Sequence, residues 1–286
     1  MSVRTEFEQF LAEKQRRARA ALVGMFQTEE DNSSRHELLS IGSEWTRRHF
    51  GGNFLISSPP ESMPAASVVF VRSREGNTVA QNPADLGGGD TDLHLIYEGL
   101  ARVAADAVLA GARTARGRAF FSVWHPELVA LRHALGFPRH PAQIVVSADG
   151  NLDVDALLFN VPSVPVFVIA GSKCRERLGP TLDRPGVTVI PAESDDLTIP
   201  FRELHRLGIH RISVVGGRST ASRLLDAGLV QDVYLTTTLK SAGKPGTPFY
   251  AGTHHLTLDL VQRKRLVAGR GEPTVQFEHL EVRVSD

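Results

Sequence analysis

Residues 211–228 read RISVVGGRSTASRLLDAG, and their reading sets the fold class. The run Arg211–Val215 is β-branched and apolar enough for a buried strand, and it stops at two glycines, Gly216 and Gly217. A helical stretch follows, capped by Ser219 or Thr220, with Leu224 and Leu225 inward. Two glycines at the carboxyl end of a strand let a ligand approach the backbone closely. The helix start beyond them offers unpaired N–H groups and the positive end of a dipole, which favours phosphate. Arg218 adds a charge. A glycine pair that only turns a strand into a helix explains the same letters, so this segment alone leaves both readings open.

The same pattern repeats outward. Short apolar runs at Ser67–Val71, Ala107–Ala110, Gln143–Ser147, Val164–Ala170 and Val187–Ile190 lack alternation, as strands buried on both faces of a parallel sheet do. Helices are expected between them at Asp92–Ala104, Pro126–Leu135, Phe201–Leu207 and Ser219–Ala227. This alternation predicts an α/β sheet with right-handed crossovers. Asp232–Leu239, Leu256–Leu266 and Thr274–Val284 follow without helices between them, predicting an antiparallel finish on one sheet edge. In TVQFEHLEV, Val275, Phe277 and Leu280 are expected on one face.

SSPPESMP at 57–64 breaks regular structure and sets a boundary, giving a helical N-terminal extension at 1–60 and the main domain at 61–286. Within the extension, helices are expected over 3–27 and 37–50, joined by a polar connector at 27–35.

With 286 residues, 32 basic and 32 acidic side chains and 42% hydrophobic residues, the chain is a balanced globular protein. Zero net charge gives no long-range pull toward nucleic acid or an anionic membrane. The single cysteine, Cys174, forms no Cys-x-x-Cys pair and fits a reducing compartment. Residues 1–20 lack the apolar core of a signal peptide, and no apolar run reaches membrane-spanning length, so a cytoplasmic setting is expected.

A second candidate anion site is RVAADAVLAGARTARG at 102–117, where a strand reaches Gly111 and Thr114 amid Arg113, Arg116 and Arg118. A threonine hydroxyl and arginines suit phosphate, although a solvated basic loop reads the same way. Two such strand ends in one parallel sheet weigh more, because ligands sit outside the carboxyl ends of strands.

Taken in order, these motifs resemble the reductase domain of bacterial riboflavin biosynthesis, a relative of dihydrofolate reductase. That family opens with a strand and Ser-x-Asp-Gly, met here by Ser73-Arg74-Glu75-Gly76. Its Asp-Ala-apolar-apolar-x-Gly-x-x-Thr is met by Asp106 through Thr114, preceded by Arg102. Its Glu-Gly-Gly is met by Val215-Gly216-Gly217, and its later landmarks by Gly228–Asp232 and Gly243. The match runs from about residue 66 to 250. It implies a dihydrofolate reductase-like three-layer α/β fold, mainly parallel with an antiparallel C-terminal edge. It further implies an NADPH-dependent reductase, a homodimer, with a small-molecule substrate. By carry-over, Gly111, Thr114, Ser147, Gly216, Gly217, Arg218, Ser219 and Thr220 would hold the cofactor. Thr91, Arg102 and Val215 fall at substrate positions.

Three departures bear on the substrate: Val215 for Glu, Arg118 for an acid, and Glu75 for Asp. Loss of an acid that pairs with the substrate removes a charge-assisted bond of about 1.5–3 kcal/mol. Residues 1–60 hold no cysteine and hence no Pro-Cys-x-x-Cys zinc signature. The expected chemistry is hydride transfer to a C=N or C=O group of a small heterocyclic or ribosylamino-pyrimidine-like substrate. Glu75 is the expected proton donor, which requires burial to raise its pKa, and water is the alternative donor. A pterin or dihydrofolate-type reductase and a non-catalytic NADPH-binding protein are the rivals.

Other segments rank lower. GGGD at 87–90 lacks the Lys-Ser/Thr of a P-loop and reads as a flexible loop, a lid over the cofactor at most. Ser172-Lys173 reads as a site for an adenosine 2′-phosphate or as surface. The 11 histidines, including His125, His133, His140, His254 and His255, show no metal-ligand spacing, so no metal is expected. Trp45 and Trp124 read as packing residues. No Gly-x-Ser-x-Gly elbow is present.

Overall fold

The computed structural model describes residues 3–161, 163–193, 196–267 and 275–283. In chain order the elements are α1 (Val3–Ala20), β1 (Met25–Asp31), β2 (Leu38–Ile41), α2 (Glu44–His49), β3 (Phe54–Ser57) and β4 (Ala65–Arg72). Next come the single turn α3 (Gly89–Thr91), continued by a π helix over Asp92–Leu100, then β5 (Ala107–Gly111), α4 (Pro126–Ala134), β6 (Ala142–Ser147) and α5 (Leu157–Asn160). The chain continues with β7 (Val166–Gly171), α6 (Ser172–Leu182), β8 (Val187–Ala192), α7 (Thr198–Arg206), β9 (Arg211–Val215) and α8 (Arg218–Asp226). It closes with β10 (Asp232–Thr238), β11 (Thr257–Val267) and β12 (Val275–Arg283).

Among the described residues ten strands form one sheet in the order β1-β11-β12-β10-β4-β9-β5-β6-β7-β8. From β10 to β8 every neighbour pair is parallel, and β12, β11 and β1 add antiparallel neighbours at one edge. β2 and β3 pair separately as a small antiparallel sheet. One face of the large sheet is covered by a core containing Phe10 of α1, Leu95 and Ile96 of the π helix, and Val215. The other face is covered by Phe201 and Leu204 of α7 with Leu224 and Leu225 of α8. The result is three layers, which is why the central strands are mostly apolar.

The N-terminal segment departs from its reading. The helix expected over 3–27 ends at Ala20, and the polar connector contains the strand β1, which closes the large sheet against β11. Its acids are matched across the ladder: Glu30 meets Arg263 at 2.7 Å and Glu29 meets Arg265 at 3.0 Å. The signal for this strand therefore lay in β11, over two hundred residues away. The helix expected over 37–50 is divided into β2 and the short α2. Ser43 starts α2, its hydroxyl accepting from the Thr46 N–H while the Thr46 hydroxyl accepts from the Ser43 N–H.

In β12 the side chain that continues the Val275 and Phe277 face is His279, buried and 2.8 Å from the Asp232 carboxylate. Leu280 faces the opposite core, as the two-residue period requires. The ends of the expected strand at 274 and 284 lie outside the described residues.

Candidate functional site

The chain leaves β4, passes over the position of β9 and enters the sheet again at β5; β9 fills the gap later. Such a switch leaves a crevice at the carboxyl ends of the strands. Gly111 ends β5, Ser147 ends β6 and Val215 ends β9, so the sequence-predicted residues reach the same edge.

Five of them converge. Gly216 and Gly217 both adopt left-handed backbone, with φ of 66° and 79°, and α8 starts immediately after. A Cβ on Gly216 would lie 3.0 Å from the Thr114 methyl, and one on Gly111 would lie 2.7 Å from the Thr220 hydroxyl. At Gly217 the nearest atom to such a Cβ would be the Thr220 hydroxyl, 3.4 Å away. Two hydroxyls thus meet bare backbone at a helix start that has no side-chain cap. Such a cradle could hold an anion: the hydroxyls can donate, and the first N–H groups of α8 have no acceptor within the helix. Ser219 stands exposed in the first turn, and Arg218 reaches toward the Gly246 carbonyl at 3.5 Å.

Other predicted residues lie apart from the cradle or are already engaged. The Ser147 hydroxyl accepts from the Gly150 N–H at 3.1 Å and holds the turn after β6. Val215 is fully buried in the core. The Thr91 hydroxyl accepts from the Gly24 N–H at 2.8 Å, tying the π-helix start to the N-terminal segment. Arg102, 1% exposed, donates to the Ser122 carbonyl at 2.8 Å and stacks on Tyr97. Its Nε and second Nη have no hydrogen-bond partner.

Glu75 does not meet the requirement set for a proton donor. Its carboxylate is exposed and accepts from the Ser241 hydroxyl at 2.6 Å and the Ser73 hydroxyl at 2.9 Å. The Ser241 bond, foremost, holds its pKa below the usual glutamate range, so it is ionised near neutral pH.

The group with the required property is Asp92, which sequence reasoning passed over. It opens the π helix, is 5% exposed, and accepts a hydrogen bond from the Thr236 hydroxyl of β10. Burial raises its pKa to about 6, although the Thr236 bond pulls the other way. Thr236 pairs with Val71 near the carboxyl end of β4, while Val69 of β4 pairs with Val215. Asp92 therefore stands at the edge that carries the cradle, across β4 from β9. An Asp directly after the GGGDT stretch, opening an apolar helix, was the available signal.

GGGD includes two left-handed glycines, Gly87 and Gly89, and the Leu86 carbonyl accepts from the Thr238 hydroxyl at 2.6 Å. Ser172 and Lys173 are exposed at the start of α6. Trp124 packs on Phe10 and Trp45 stacks on His125. Among the described residues no three His, Cys, Asp or Glu side chains are grouped to hold a metal, and no helix is long and apolar enough to cross a membrane.

Solved structures share this architecture. A pyrimidine reductase-like protein from Corynebacterium diphtheriae aligns over 78% of this chain and 93% of its own, at 23% identity and a TM-score of 0.59. RibD of Acinetobacter baumannii aligns over 78% of this chain and 59% of its own, at 14% identity and 0.54. The riboflavin biosynthesis reductase Rib7 of Saccharomyces cerevisiae covers 78% and 93%, at 16% identity and 0.50. At these identities the likeness shows the fold, which is dihydrofolate reductase-like as expected. No curated protein matches the chain. The family described as the RibD C-terminal domain matches residues 93–269, more than half of the sequence, and the chain belongs to that family.

Proposed function

We propose that the protein is an NADPH-dependent reductase acting on a C=N or C=O group of a small heterocyclic or ribosylamino-pyrimidine-like substrate. The observation that carries this is the cradle formed by Gly111, Thr114, Gly216, Gly217 and Thr220 at the carboxyl edge of β5 and β9. Its two threonine hydroxyls and the start of α8 are groups a phosphate can use, and a side chain at Gly111 or Gly216 would press on Thr220 or Thr114. When bound, NADPH supplies the hydride. The residues of the chain hold its phosphates through the Thr114 and Thr220 hydroxyls and the start of α8, with Arg218 and Ser219 at the rim. Asp92 is the proton source: protonated below about pH 6, it can give its proton to the reduced centre and recover it from solvent. Family membership and the pyrimidine reductase-like neighbour support the substrate class. A homodimer and a cytoplasmic setting belong to the same proposal.

One observation favours a second reading. Val215 stands where the family has an acid and is fully buried, which fits a protein that binds NADPH but has a changed or lost substrate site; dihydropterins belong in the screen for that reason.

The test is titration of the full chain with NADPH and with NADH, followed by nicotinamide fluorescence. Saturable binding that prefers NADPH and weakens in Thr114→Val and Gly217→Val supports the reading. No binding of either nucleotide at ~1 mM, well above ordinary cofactor affinities, overturns it. Cofactor binding without oxidation by any pyrimidine or pterin substrate moves the balance to the second reading.

A further inference from the structure

A cavity of about 390 Å³ opens between α1, the π helix and residues 118–124. Two of its walls are built from segments that also carry the site described above, although no residue belongs to both. The loop that places Thr114 in the cradle continues to Arg118, which lines the cavity, and the helix that begins at Asp92 presents Leu93 and Tyr97 to it. The third side is α1, which lies outside the residues matched by the family.

The lining is aromatic and basic. Phe10, Tyr97, Phe120 and Trp124 supply flat apolar surface. Lys14 and Arg17 come from α1, and Arg102 and Arg118 from the main domain. The acids that line the cavity are already engaged. Asp90 accepts from the Leu22 N–H at 3.0 Å, and one oxygen of Glu98 takes His94 and the N–H groups of Trp124 and His125. Arg102 is buried with two guanidinium nitrogens lacking a partner, and a buried charge without a counter-ion is costly. Glu13 lies 2.8 Å from Arg17 and, like Glu6, 3.9 Å from Arg118, but these pairs are solvent-exposed and so weak enough to yield to a ligand anion.

We infer that this cavity is the substrate end of the cleft and that α1 is its specificity wall, with Lys14 and Arg17 recognising an anionic group, phosphate or carboxylate, carried on a flat ring. The assignment to substrate rests on the reductase reading; the anion site itself does not. The wall then gives this chain a selectivity that the family domain alone does not supply.

The test is calorimetric titration of the full chain with phenyl phosphate, benzoate and the neutral benzyl alcohol, with NADPH binding measured in parallel. At least one of the two anions should bind saturably and the alcohol should not. The double variant Lys14→Glu/Arg17→Glu should weaken anion binding by ~10-fold or more, as loss of charge-assisted contacts predicts. NADPH binding should stay unchanged. A stronger response to phenyl phosphate names phosphate as the group, and one to benzoate names carboxylate. Lys14→Gln/Arg17→Gln repeats the measurement if the reversed charges disturb folding by circular dichroism. The inference is overturned if neither anion binds at ~10 mM, if the alcohol binds equally, or if the α1 variants bind anion as the parent does. Loss of NADPH binding with anion binding intact would instead remove the reductase reading and leave the pocket standing.

Discussion

The Thr236 hydroxyl of β10 donates to the Asp92 carboxyl at the start of the π helix, joining the layer above the sheet to the strand beside β4. The bond stabilises the ionised acid while burial opposes it, and burial prevails, leaving the pKa at about 6. Asp92→Asn should therefore lower turnover by ~100-fold or more, the ordinary cost of losing a general acid, with NADPH affinity kept. Thr236→Val removes the opposing bond, so the Asp92 pKa should rise further. Carbon-13 NMR of the labelled carboxyl reads that shift directly. A titration midpoint that stays put or falls in Thr236→Val would refute the arrangement. In turnover, activity should decline as pH rises through about 6, and the decline should move to higher pH in the valine variant.

The cradle makes a steric prediction. A methyl on Gly111 would stand 2.7 Å from the Thr220 hydroxyl, so one of the two must move. Gly111→Ala should cost about 1–3 kcal/mol in urea unfolding, as overpacking does. Because the obstacle is a single side chain, adding Thr220→Ala should recover most of the loss. Additive losses in the double variant would show that the two positions do not touch.

The parallel half of the sheet was legible because strands such as β5 and β7 are buried on both faces and so are apolar along their length. The Gly216-Gly217 turn was legible for a related reason: at φ above +60° a residue with a Cβ is strained. β1 was not, since MFQTEED has one deeply buried side chain and owes its strand to the bases of β11. Thr236 and Asp92 are 144 positions apart, so no local pattern joins them. That Glu75 is ionised was not legible, because Ser241, which lowers its pKa, arrives from the loop after β10.

Acid should act through two half-buried histidines. Burial lowers the pKa of both His125 and His140 to about 4, helped by His94 and Arg139 respectively. The unfolded chain takes up these protons near pH 6.5 while the fold resists until about 4, so stability should fall as pH drops across that window. Asp92 acts oppositely: the fold holds its proton up to about pH 6, the unfolded chain only to about 4. Asp92→Asn should thus steepen the acid loss seen by urea unfolding between pH 6 and 4. An unchanged or shallower slope would contradict the burial assigned to Asp92.

At high pH the lever is Lys264. It is 1% exposed, donates to the Thr28 hydroxyl at 2.7 Å, and sits 4.5 Å from the Phe50 ring centre. Burial lowers its pKa to about 8, despite the opposing pull of Asp31. Below pH 8 both folded and unfolded chains carry the charge, and the fold bears its full desolvation cost. Between about 8 and 10.5 the folded lysine is neutral while the unfolded one is still charged, so stability should rise with pH across that interval. A shift of this size corresponds to a gain on the order of 3 kcal/mol at most. Lys264→Met keeps the length and removes the charge, so its unfolding free energy should lack this rise and should match or exceed the parent at pH 7. Urea unfolding of both proteins at pH 7 and pH 10 decides it. If the methionine variant is much weaker at pH 7 and rises with pH as the parent does, the hydrogen bonds to Thr28 and the Gly51 carbonyl outweigh the buried charge, and the β1 edge depends on that lysine for its attachment.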